Sequence, residues 1–134
     1  MRVQVALLAD YSNVSREGKL NILGIFDTIY AQSFPVTHAH MQLVIRFEGG
    51  PEEAGTSRQI EVQLLSQDGT SLFRLPGTIA VQRGESGEPV RADHILSLTN
   101  VGFTDPGRYV FEISVDGRVE ATVPLRVEHI PSRH

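Results

Sequence analysis

Apolar and polar residues alternate with a period of two along much of this chain, in runs bounded by Gly, Pro, Asn and Asp. Successive side chains of a strand point to opposite faces, so the pattern predicts strands with one buried and one solvated face. The first covers Val3–Leu8 and is followed by a polar loop from Asp10 to Lys19. A second strand is predicted from Leu20 to Tyr30. A third, from Met41 to Glu48, sets Met41, Leu43, Ile45 and Phe47 on one face. Gly49–Gly55 reads as a mobile loop carrying the solvated carboxylates Glu52 and Glu53. Ile60–Leu65 and Ser71–Leu75 flank a turn at Gln67–Thr70. Pro76-Gly77 then interrupts the chain before Thr78–Gln82, a loop follows at 83–89, and Ala92–Thr99 forms another strand. There is no heptad, internal repeat or helical period.

The last two strands are tied by register. Tyr109, Phe111, Ile113 and Val115 line one face, and Val119, Ala121, Val123, Leu125 and Val127 line the other strand. A two-residue Asp116-Gly117 turn would set Ile113 against Glu120, apolar against charged. A three-residue loop with Gly117 left-handed sets Ile113 against Val119 and Phe111 against Ala121, and is the expectation. Pro124 cannot donate to a ladder, so it marks an edge or a bulge in the final strand and blunts an exposed edge. The second strand is apolar on both sides. A bulge at Gly24 explains this, and so does a second subunit covering the outer face. In the latter case Leu23, Ile25 and Ile29 form the interface of a homodimer.

Composition narrows the class. A chain of 134 residues with 40% hydrophobic and 21% charged content is one globular domain, 1–134, with a tail at 129–134. The net charge of -4 argues against nucleic acid as a partner. Lys19 is the single lysine, a bias that base composition explains. The chain has no cysteine, which removes disulfides, thiolate metal sites and cysteine nucleophiles, and fits a reducing compartment. Residues 1–10 lack the pattern of a signal peptide, and no segment approaches the ~18 apolar residues of a membrane span. A cytoplasmic location, without membrane contact, is the expectation.

Two resemblances follow from particular residues. Leu96, Leu98 and Val101, followed by Asp105-x-Gly107-x-Tyr109-x-Phe111, resemble the corner of an immunoglobulin-like domain, which implies that the Tyr109 hydroxyl bonds to upstream backbone. Phe111 stands where antibody domains have cysteine, and the chain has no tryptophan, so antibody-style recognition is not implied. Leu8–Val14, Glu17–Asp27 and Phe34–His38 are similar to a family of small uncharacterised bacterial proteins, a domain of unknown function. That resemblance implies a stand-alone β-sandwich and supplies no activity. Together the pattern and the resemblances predict an all-β, immunoglobulin-like antiparallel sandwich of about seven to nine strands.

Candidate chemistry is sparse. His38-x-His40 on a strand places two imidazoles on one side, within reach of one metal if Asp93 and His94 supply further ligands. His129 and His134 fall in the exposed tail. No Gly-x-Ser-x-Gly elbow or phosphate loop is present, so neither catalytic residues nor a cofactor are assigned. Asp10, Tyr11, Ser12 and Asn13 form a hydrogen-bonding cluster on the first loop, the place where sandwiches carry binding function. The resulting expectation is a non-enzymatic intracellular binding or assembly module that associates with itself or with another protein. The alternative is a metal-binding protein or metal-dependent enzyme using His38 and His40.

Overall fold

The computed structural model describes residues 1–82 and 87–131. The loop expected at 83–89 therefore falls partly outside the described residues, as does His134. Nine strands are described: β1 Arg2–Val14, β2 Leu20–Phe26, β3 Thr28–Ala31, β4 Val36–Gly49, β5 Ser57–Leu65, β6 Ser71–Ala80, β7 Val90–Phe103, β8 Gly107–Val115 and β9 Arg118–His129. They form two sheets, ordered β2-β1-β4-β7 and β3-β9-β8-β5-β6. All neighbours are antiparallel except β3 and β9, which run parallel. The fold is a β-sandwich. No helix among the described residues is long and apolar enough to cross a membrane.

The core fills the space between the sheets by the expected alternation. Leu43, Ile45 and Phe47 of β4 face Phe111 and Ile113 of β8 and Leu125 of β9, all fully buried. Burial of each such side chain contributes roughly 1.5–3 kcal/mol. The corner between β7 and β8 matches its expectation: the Tyr109 hydroxyl donates to the Asp105 carbonyl at 2.6 Å. Its ring meets Phe103 edge-on, with centroids 4.9 Å apart.

Several elements depart from the sequence reading. The second strand is two strands in different sheets, β2 and β3, and the chain crosses between them at Asp27. This crossing accounts for the apolar residues on both sides. Ile29 turns into the core on β3, and Leu23 stays exposed on β2. The β1–β2 register is the same on both sides of Gly24, from Leu8–Phe26 to Val14–Leu20, so no bulge shifts its phase. Pro76-Gly77 does not interrupt β6, because β6 is an edge and Pro76 needs a partner on one side only.

The final hairpin turns on two residues, with Val115 opposite Arg118. Asp116 and Gly117 both have positive φ, 49° and 83°, as a type I′ turn requires. A bulge beyond Ser114–Val119 then restores the phase and sets Ile113 against Ala121 and Phe111 against Val123. The turn chemistry decided the loop length, and the bulge absorbed the mismatch. His129, expected in the tail, instead ends β9.

The loop at 49–55 is anchored. Pro51–Glu53 forms a short 3-10 turn in which Glu53 is buried. Its Oε1 accepts from the Met1 ammonium at 2.8 Å and from Arg58 Nη2 at 2.9 Å. Burial alone would raise the Glu53 pKa. The hydrogen bond and charge of the ammonium, together with Arg58, outweigh it and hold the carboxyl below its ordinary value.

Candidate interaction surface

Asp10, Tyr11, Ser12 and Asn13 do not form a loop. They are consecutive residues of β1, and strand geometry sends them to different partners. β1 leaves β4 at the rung Ala9–Gln42. At a rise of about 3.3 Å per residue, a straight strand would carry Ser12 about 10 Å past that rung. Ser12 Oγ instead donates to Gln42 Oε1 at 2.6 Å. Farther along the hairpin, the Gly18 carbonyl accepts from Arg46 Nη2 at 3.3 Å. Gln42, Val44 and Arg46 alternate with the core residues Leu43, Ile45 and Phe47, so they face outward. The distal half of the β1–β2 hairpin, from Tyr11 to Leu23, therefore folds back over the outer face of its own sheet as an arm.

The bend lies at Asp10 and Gly24, between the rungs Ala9–Ile25 and Tyr11–Leu23. Gly24 has a φ of 74°, a left-handed conformation that costs glycine little. The Asp10 side chain occupies the space where a Cβ on residue 24 would stand. Beneath the arm, Ala9 and Val44 have no exposed surface although both face outward. Gln42 links the layers, because its Nε2 also donates to Ser97 Oγ at 3.2 Å.

The arm's other side is open to solvent. Tyr11 is 53% exposed and lies opposite Leu23, which is 69% exposed. Asn21 Nδ2 donates to Asn13 Oδ1 at 2.9 Å two rungs farther along. Just beyond the bend, Ile25 is 64% exposed. Of the four residues expected to bind together, Tyr11 is presented, Asn13 is paired, Asp10 sits at the bend and Ser12 is buried. Of the three expected at an interface, Leu23 and Ile25 are exposed, and Ile29 belongs to the core.

The histidine pair is separated. His38 lies opposite the core residue Val101, with its ring 6.0 Å from Phe26 and its Nε2 buried without a partner. His40 is exposed, opposite Thr99. Between the two rungs, Asn100 adopts a left-handed φ of 53°, and the alternation of faces breaks there. The rule that residues two apart share a side therefore fails at this point.

Asp93 and His94 lie opposite Arg46 and Ile45. From His40 to Ile45 is five residues along β4, about 16 Å. Asp93 is also committed to Arg46 through contacts of 2.7 and 3.0 Å. His94 is half-buried, and burial lowers its pKa. Among the described residues, no group of three or more His, Asp or Glu is placed to hold a metal ion. The bend of the hairpin was not read from the sequence. Its one local signal was Gly24 within an apolar strand.

A comparison with curated proteins found no match. Among solved structures, the fold is similar to Pseudomonas fluorescens alkylpurine DNA glycosylase AlkC bound to DNA containing an abasic site analog, with 10% identity and a TM-score of 0.45. That likeness covers 95% of this chain and 30% of the glycosylase chain. At that TM-score it carries no argument about function. A family model matches residues 4–128, and the chain belongs to this family, DUF6941, a family of unknown function.

Proposed function

We propose that the protein is a non-enzymatic binding or assembly module that associates with itself through the β1–β2 hairpin. The observation that carries this reading is the exposure of Tyr11, Leu23 and Ile25 on one hairpin, since contiguous exposed apolar side chains mark interaction surfaces. An immunoglobulin-like frame is part of the proposal. The neighbours β1-β4-β7 and β5-β8-β9 follow the A-B-E and C-F-G adjacencies of such sandwiches. A chain without cysteine supports an intracellular setting. Light scattering tests the reading. It requires an oligomer at high micromolar concentration that Ile25→Glu weakens, and a monomer unchanged by Ile25→Glu overturns it.

A further inference from the structure

The arm's contacts have a property that bears on how two copies meet. Among the described residues, the side-chain hydrogen bonds that hold the arm down join the arm to the outer face of the four-stranded sheet. Ser12 and the Gly18 carbonyl come from the arm, and Gln42 and Arg46 come from the sheet. A second copy carries the same four groups, so its arm fits the same face with the same contacts. The connection is slight. Arm and sheet are joined through the bend at Asp10 and Gly24 alone, and elsewhere the hairpin ladder is in constant register. Straightening the bend moves the arm as a unit without breaking its internal pairing.

Lifting the arm also uncovers Ala9 and Val44, which are fully buried on an outward face. An uncovered apolar strip of this kind is refilled either by its own arm or by an equivalent one. We infer that two copies associate by exchanging arms, each laying Tyr11–Leu23 across the partner's outer sheet face. The exchange is isologous, so it closes as a two-fold dimer. This inference rests on the self-association proposed above and adds to its exposed surface the contacts made by the arm's buried side. In the dimer, Ser12 donates to Gln42 of the partner subunit, and Arg46 of the partner subunit donates to the Gly18 carbonyl. The core between the sheets is untouched, because the exchanged segment lies outside it.

The absence of cysteine makes a clean test available. Gly18 and Arg91 line one groove at the arm's tip, and both Glu17 and Arg91 are exposed. Glu17→Cys and Arg91→Cys therefore leave packing intact. The two single variants are mixed, left to equilibrate and treated with a short bis-maleimide. Exchange predicts a cross-linked dimer containing one chain of each variant, resolved on a denaturing gel. The double variant alone, diluted until light scattering reads a monomer, cross-links within the chain and confirms that the two positions are close.

Oligomers in light scattering with no mixed cross-linked species overturn arm exchange and leave the self-association reading standing. A monomer at all concentrations overturns both. Gly24→Ala gives a second readout, since the left-handed bend disfavours a residue with a Cβ. A straightened hinge raises the dimerisation constant roughly a hundredfold, tenfold for each of the two arms, corresponding to about 1.4 kcal/mol per arm. An unchanged or lower dimer fraction in a folded Gly24→Ala protein counts against the hinge.

Discussion

Individual side chains decide more here than their types suggest. Tyr109 is a core aromatic whose hydroxyl, as its place in the corner pattern implies, ties β7–β8 to the Asp105 carbonyl. Tyr109→Phe keeps the edge-on contact with Phe103 and removes only that bond. A loss of about 0.5–1.5 kcal/mol in urea denaturation is expected, with no change in fold.

Two titrating groups contribute to the acid limit. Burial lowers the His94 pKa, so the folded protein prefers the neutral ring. The stability this contributes is present above the unfolded histidine value of about 6.5 and is lost as pH falls through the folded value. Glu53 is also held low, by the Met1 ammonium and Arg58 working against its burial. Its contribution is present above the unfolded value of about 4.3 and fades with further acidification. The melting temperature is therefore expected to fall in two stages, the first below about pH 6.5 and the second below about pH 4.3. Differential scanning fluorimetry across pH checks this. His94→Gln flattens the first stage and Glu53→Gln the second.

At the scale of elements, backbone exceptions redirect otherwise regular strands. Gly24 bends a hairpin, Asn100 reverses the faces of a strand pair, and Asp116-Gly117 forces a tight turn that a bulge then corrects. Pro124 shows the converse, a sequence signal that keeps its meaning. Arg126 N donates to the Asp27 carbonyl on the β3 side. By the period of two, the Pro124 nitrogen faces that same side two residues before β3 begins, where β9 is an open edge. The arm is the element whose stability is most local. Gln42→Ala leaves the buried Ser12 hydroxyl without its acceptor, at a cost of about 1–3 kcal/mol. Hydrogen exchange is expected to speed up across Tyr11–Leu23 in this variant and to stay slow in β8. Uniform acceleration through both would show that the arm opens only with global unfolding.

For the whole molecule, the crossing at Asp27 separates residues that the sequence places in one strand. Ile29→Ala empties a core position and is expected to cost about 2–4 kcal/mol. Leu23→Ala, on the exposed arm, is expected to change monomer stability by less than about 0.5 kcal/mol. Chemical denaturation at low protein concentration compares the two. Equal losses would place both residues in one packed layer and contradict the crossing.

What the sequence determined by itself is the material of the fold: alternating strands, the corner tyrosine, the blunted edge and the absence of thiol chemistry. These are legible because period-two burial, turn preferences and residue inventories act within a few neighbours. The sheet crossing, the folded-back arm and the parting of His38 from His40 were decided only in three dimensions. Each depends on which distant strand supplies a partner; at the arm and between the histidines a single left-handed residue, Gly24 or Asn100, changes that answer without disturbing the pattern on either side. The expectations of a binding loop at Ser12 and a solvated Glu53 fail for the same reason, since both are buried. A polar side chain looks exposed in sequence until Gln42 or the Met1 ammonium arrives from another part of the chain to satisfy it.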